Sequence, residues 1–358
     1  MSVWVFPLLL GCPGPSDTAA EPDPIASLLA PGEFGVGFHQ EELTYSDPSF
    51  ETERTLNLLW WYPTEETGGD LPSYRSLTQP DSVWEGAPTA PGQFPVLVSS
   101  HGSQGFAEGS SFLFEHFASH GWVVVAPDHT HNTLFDHVSR TNNIYLQRPL
   151  DISSVIDHTH ALPDLHPLRN HIGSPIVANG HSYGGYTLHG LAGAEYDLLG
   201  LDTKCSDSDS GFCDGYTESR RDRFAEGFED DRIVAHISMA PGDFSYYGSS
   251  GFAAVDAPIL LMTGELDEST GSDSEPTWNA LVGEHHLRVD LLGGGHTTFT
   301  DYAGLFEDSE LGLEPEEGWR IIKAYSLAFA RLHTGDNSGA ELLDGERSIS
   351  ESALLMKK

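Results

Sequence analysis

Gly180-His181-Ser182-Tyr183-Gly184 places a serine between an apolar run at 175–178 and a helix-compatible run at 186–194. Strand, tight turn and helix form the local geometry that lifts a hydroxyl into solvent. The flanking glycines leave room where side chains would collide with neighbouring backbone. A serine hydroxyl is a poor nucleophile at neutral pH, so it needs a histidine to take its proton and an acid to hold that histidine. Both lie downstream, in the order nucleophile, acid, histidine. A buried-strand run at 258–263 stops at Gly264-Glu265-Leu266-Asp267, and an alternating run at 286–292 breaks at Gly293-Gly294-Gly295-His296. Asp267 and His296 therefore follow the ends of two predicted strands, where open α/β sheets gather their chemistry. Asp243, after a predicted strand at 233–240, and Glu265 are the alternative acids; a solvated loop histidine is the bland alternative for His296.

Acyl transfer also needs two N–H donors for the developing oxyanion. Tyr183, directly after the serine, is one candidate. The second is Ser103 in Ser100-His101-Gly102-Ser103-Gln104-Gly105, the loop after a predicted strand at 94–99. Its glycines let backbone approach a substrate, although a loop that only needs unusual φ angles would look the same.

These residues need a scaffold, and 358 residues suffice for one large core. Apolar strands and helical runs alternate from residue 94 onward, which predicts a mostly parallel sheet with helices on both faces. Residues 55–62 read as an early strand in an antiparallel edge, and residues 314–333 as the last long helix. The segment 336–358 is a C-terminal tail whose short amphipathic pattern packs on the outside. There is no internal repeat and no apolar run long enough to span a bilayer.

The run 97–105, the helical run 112–120, Gly121-Trp-Val-Val-Val-Ala-Pro-Asp-His129, and Arg148-Pro-Leu-Asp151 opening an amphipathic helix carry a resemblance. From about residue 35 to about residue 335, the chain resembles the platelet-activating-factor acetylhydrolase branch of the α/β-hydrolases. It is also similar to the bacterial "predicted dienelactone hydrolase" and polyesterase relatives. The resemblance implies an α/β-hydrolase fold, a Ser182–His296–Asp267 triad, and an oxyanion hole from Ser103 and Tyr183. The acetylhydrolases proper carry their acid one strand earlier, which keeps Asp243 open. The dienelactone hydrolases proper use a cysteine nucleophile; a serine stands here, so that chemistry does not carry over.

Residues 1–12 read as a signal peptide ending in Leu9-Leu10-Gly11-Cys12, which resembles a bacterial lipobox with Cys12 lipidated, a cleaved and secreted protein being the alternative, although the preceding segment has no lysine or arginine. Residues 13–31 are rich in proline, serine, alanine and acids and read as a flexible linker without a core. The catalytic domain is expected over 32–335. Cys205 and Cys213 are expected to pair in an oxidising compartment. They lie in an insert, 198–231, that reads either as a disulfide-pinned acidic flap with a helix near 217–230 or as a plain surface excursion. The polar run 207–214 hints at a calcium loop, but its glycine falls one position early for an EF-hand.

With 54 acids against 17 lysines and arginines, the net charge is −37, which argues against nucleic acid and against unaided adsorption to anionic membranes. Membrane contact is expected only through the lipid anchor. The pairs His129/His131 and His158/His160 match no metal motif; pocket lining is the better reading for the first pair, and core packing for Trp60, Trp61 and Tyr62. No cofactor or metal is called for. The expected function is an exported serine carboxylesterase acting on a small-molecule, lipid or polyester ester. Alternatives are a phospholipase A2-like acetylhydrolase, a polyesterase, amide hydrolysis by the same triad, or a non-catalytic binding lipoprotein on a hydrolase scaffold.

Overall fold

The computed structural model describes residues 1, 23–50, 52–75, 79–138, 141–207, 210–303 and 312–358. The lipobox with Cys12, most of the predicted linker and part of the calcium-like run lie outside these residues.

Strands β1 (Gly35–Tyr45), β2 (Arg54–Thr64), β3 (Val83–Glu85), β4 (Phe94–Ser100), β5 (Val123–Pro127), β6 (Ile172–His181), β7 (Ile233–Met239), β8 (Ile259–Gly264), β9 (Leu287–Leu291) and β10 (Ala353–Lys357) make one sheet. Its order is β10-β9-β8-β7-β6-β4-β5-β2-β1-β3. From β5 to β9 the neighbours are parallel, while β2 runs antiparallel to both β1 and β5. The early strand is thus antiparallel, as expected, but β1 and β3 lie outside it.

The inner parallel strands are dominated by apolar residues because both faces are covered, whereas β9 alternates. Leu97 and Val124 point into one core and Val96, Val98, Val123 and Val125 into the other, the period of two that a pleated strand imposes. Helices α1 (Pro24–Leu29), α2 (Ser111–Ser119), α9 (Pro315–His333) and α10 (Ala340–Leu343) pack on the first face. Helices α3 (Asn142–His160), α4 (Tyr183–Leu191), α5 (Leu198–Asp207), α6 (Glu218–Glu226), α7 (Gly248–Phe252) and α8 (Gly271–Ala280) belong to the other side. Helix α9 buries Ile321, Leu327 and Phe329 completely, each contributing roughly 1.5–3 kcal/mol of transfer free energy. Pro315 fits its first turn because it has no N–H to leave unpaired there, while Glu316 and Glu317 beside it and Arg331 and His333 at its end suit the helix dipole.

Four expectations change. Helix α3 opens at Asn142, not at Arg148, so Pro149 lies inside it. A proline there cannot bond the carbonyl of Tyr145 four residues back; the Tyr186 hydroxyl donates to that carbonyl instead, at 3.0 Å. The predicted linker contains α1, whose Ile25 and Leu28 are buried in the main core. The tail does more than pack outside, because β10 pairs antiparallel with β9 from Ala353 to Lys357 and extends the sheet. The acidic helix is shorter than expected, spanning Glu218–Glu226 with the Thr217 hydroxyl accepting from the Arg220 N–H.

Candidate active site

Ser182 stands between β6 and α4 with φ 56° and ψ −117°, a left-handed backbone rare for a residue with a Cβ. The turn closes because Gly180 and Gly184 stand two positions to either side of the serine. A Cβ on Gly180 would lie 2.6 Å from the Gly184 backbone, and one on Gly184 would lie 1.9 Å from the Ser100 carbonyl oxygen. The apex is stitched to the sheet by Ser182 N–H donating to the Met239 carbonyl at 2.9 Å.

Asp267 follows β8, and His296 opens a short 3-10 turn after β9. The two loops meet, and His296 Nδ1 lies 2.9 Å from Asp267 Oδ2. The other carboxylate oxygen accepts the Ser269 and Thr270 N–H groups at 2.8 and 2.9 Å. Burial pushes the Asp267 pKa up, but the hydrogen bond and charge of His296 and the Thr270 bonds outweigh it and hold the group down at about 2. Asp267 is therefore an anion at neutral pH, and Nδ1 carries the proton it accepts. Of the alternative acids, Asp243 accepts from the Tyr145 hydroxyl at 3.2 Å, and Glu265 accepts from the Gly293 N–H at 2.9 Å. The carboxylate bonded to His296 is that of Asp267.

Two supporting residues escaped the sequence reading. Thr270 Oγ1 donates to Asp267 Oδ2 or to the Ala240 carbonyl, both at 2.8 Å, and stands 3.3 Å from His296 Nδ1. His181, whose ring is buried, bonds the His296 carbonyl through Nε2 at 2.9 Å; burial pushes its pKa down to about 3, so it donates as a neutral ring. Its position beside the serine is the one signal that pointed to it.

Ser182 and His296 line one cavity of about 510 Å³ together with Gly102 and Ser103, within the size range of small-molecule sites. Phe106, Phe114, Leu134, Phe135 and Tyr302 make its walls largely apolar. Arg75 also reaches it, but its guanidinium is engaged by Glu108 at 2.6 Å and Asp128 at 2.7 Å. No hydrogen bond joins Ser182 to His296 among the described contacts, a looseness common before substrate binds. The Ser103 loop is held by Gln104 N–H donating to the Asn132 carbonyl at 3.1 Å, with Gln104 at φ 59°. Tyr183 is the first residue of α4, where backbone N–H groups and the helix dipole favour negative charge.

Residues 198–231 supply none of the described lining of this cavity. Cys205 and Cys213 are joined, as expected, and the insert lays Leu201, Phe212, Phe224 and Phe228 on the aromatic cluster around Tyr145, Tyr186 and Tyr247. It buttresses α3 and α4 instead of walling the cavity. His129 is fully buried and absent from the lining, while His131 is an exposed partner of Asp136 at 3.2 Å. Trp60, Trp61 and Tyr62 are all core residues.

His39, Glu41 and His166 form the one group among the described residues whose atoms are close enough to share a metal ion. The donor set does not fit. Leu168 N–H donates to His166 Nδ1 at 3.1 Å, which leaves the ring proton on Nε2, the atom an ion would need. Glu41 instead gathers His158 Nε2 at 2.8 Å, Trp60 Nε1 at 3.2 Å and His166 Nε2 at 3.2 Å.

A family model described as Chlorophyllase matches residues 65–202, a segment that holds Ser103, Ser182 and Tyr183 but not Asp267 or His296. Among solved structures, the chain is similar to a ferulic acid esterase from Streptomyces cinnamoneus, at 21% identity and TM-score 0.61. That likeness covers 92% of this chain and 99% of the other. No curated protein matches. The strand order, the strained serine turn and the structural likeness agree on one conclusion: this chain has the α/β-hydrolase fold.

Proposed function

We propose that the protein is a serine carboxylesterase. His296 takes the proton of Ser182 as its hydroxyl attacks an ester carbonyl, and Asp267 holds the imidazole with its proton on Nδ1. The Ser103 and Tyr183 N–H groups receive the oxyanion, the alcohol leaves, and water clears the acyl-enzyme through the same histidine. The carrying observation is the Asp267–His296 hydrogen bond at the edge of an apolar cavity that Ser182 also lines. The structural neighbour named an esterase supports ester cleavage as the reaction class. The Cys205–Cys213 disulfide supports an extracytoplasmic setting. No described helix is long and apolar enough to cross a membrane, and attachment through Cys12 is part of the same proposal.

A second reading concerns how the substrate is presented. Leu134 and Phe135 line the cavity yet are 53% and 61% exposed, and Val138 nearby is 49% exposed. An apolar rim favours esters held in a lipid or polyester surface over freely dissolved ones. Purified protein is expected to hydrolyse p-nitrophenyl acetate and butyrate, and Ser182→Ala to lose at least about 10³-fold in kcat. Equal rates for the two proteins, or an inactive wild type, would favour a binding protein on a hydrolase scaffold.

A further inference from the structure

Behind the Ser103 loop runs a second Asp–His–Ser chain, closed from solvent. Asp151, fully buried on α3, accepts from Arg54 Nε at 2.6 Å and Nη2 at 2.8 Å, from the Tyr45 hydroxyl at 2.6 Å, and from His129 Nδ1 at 2.7 Å. An ionised carboxylate only accepts, so the proton of His129 is on Nδ1 and its Nε2 is an acceptor. Ser100 Oγ lies 3.0 Å from that Nε2 and 3.3 Å from Arg148 Nη1. The hydroxyl therefore donates to His129 and accepts from Arg148. Burial, then the charge of Arg148, push the His129 pKa down to about 3, which keeps the ring neutral. Every proton in the chain has one direction.

Its ends fall on the two segments that supply the oxyanion donors. Arg148 Nη2 donates to the His101 carbonyl at 2.6 Å, and its guanidinium lies over the Tyr183 ring, 4.8 Å from the centroid. The His129 N–H donates to His101 Nε2 at 3.0 Å, and His101 Nδ1 donates to the Gly102 carbonyl at 2.7 Å. Ser100 itself is 1% exposed, with its hydroxyl held at both ends by these bonds. It is a tether, not a nucleophile. Its carbonyl oxygen is the atom that a Cβ on Gly184, just past the serine turn, would strike.

We propose that Ser100, His129, Asp151 and Arg148 are positioning residues that hold the Ser103 loop and the start of α4 at the spacing an oxyanion requires. The loop needs such a brace. Ser-His-Gly-Ser-Gln-Gly has little intrinsic preference for one shape, and an N–H displaced by a fraction of an ångström stabilises a tetrahedral intermediate poorly. This inference rests on the serine-esterase reading, and the experiment separates the two.

Ser100→Ala and His129→Gln would be compared with wild type and Ser182→Ala on p-nitrophenyl butyrate. Competent sites would be counted by fluorophosphonate titration, and inhibition by phenylboronic acid, which mimics the tetrahedral intermediate, would be measured. Ser100→Ala is expected to lower kcat per competent site about 10–100-fold with KM within about 2-fold, and to weaken the boronate by a similar factor. His129→Gln keeps a donor and an acceptor and is expected to lose less. Unchanged kcat per site in both variants overturns the proposal, as does a loss explained by fewer competent sites or by KM alone. If Ser182→Ala is as active as wild type, the esterase reading itself fails and the positioning role falls with it.

Discussion

Ser182 adopts a backbone conformation that costs of the order of 1–3 kcal/mol, and it persists because the Ser182–Met239 bond and the glycines around it leave no alternative. The strained residue lines the cavity, and the polar groups of Asp267 and Thr270 gather on His296. Asp267→Asn keeps the shape but offers an amide to His296 Nδ1 and destabilises the tautomer that leaves Nε2 basic. It is expected to lower kcat about 10³–10⁴-fold with little change in KM, measured by steady-state ester hydrolysis; a loss under about 10-fold would remove Asp267 from the triad. At this scale the sequence was legible where a residue follows a strand end and a glycine run, which is how the proposed triad of Ser182, Asp267 and His296 could be placed at strand ends. It was silent on Thr270, His181 and the Asp151–His129–Ser100 chain. Those residues meet through side-chain contacts between elements far apart in the chain, and no spacing rule relates Arg54 to Asp151, 97 positions apart.

Among the elements, apolar runs gave away β4 and β6 through β8, since strands covered on both faces have no polar side to hide, while β9 was read from an alternating run that ends in three glycines. Elements whose partners are distant were harder to read. Pairing of β10 with β9 depends on a strand about sixty residues upstream, and α3 runs through Pro149 because a tyrosine from α4 takes the orphaned carbonyl. The insert invited a lid reading, but its aromatic residues face the tyrosine cluster. Its disulfide closes a short loop, with the cysteines eight positions apart, for which chain entropy predicts roughly 2–3 kcal/mol. The double variant Cys205→Ser/Cys213→Ser is expected to melt several degrees lower while keeping kcat/KM within about 2-fold. A large loss of kcat/KM at unchanged melting temperature would restore the insert to the active site.

For the whole molecule, the dominant feature is a net charge of −37. A chain of this length has a radius of gyration of about 21 Å, comparable with the Debye length of about 30 Å at 0.01 M salt and well beyond about 8 Å at 0.15 M. At low salt the acids therefore repel one another across the entire protein and oppose compaction. Thermal melts are expected to rise by about 1–3 °C between 0.01 and 0.5 M NaCl, as on the order of 1–2 kcal/mol of repulsion is screened. A flat or falling melting temperature would mean that local ion pairs such as Arg54–Asp151 and Arg75–Glu108 outweigh the global field.

The central claim is that Ser182 is a nucleophile activated by His296. A fluorophosphonate reacts with a serine only when a neighbouring base activates it, and the adduct can be located by peptide mass spectrometry. The account predicts stoichiometric labelling of the peptide containing Ser182, none in Ser182→Ala, and labelling slowed by at least about 10³-fold in His296→Ala. Labelling at another serine, or a wild type that does not react, would contradict it.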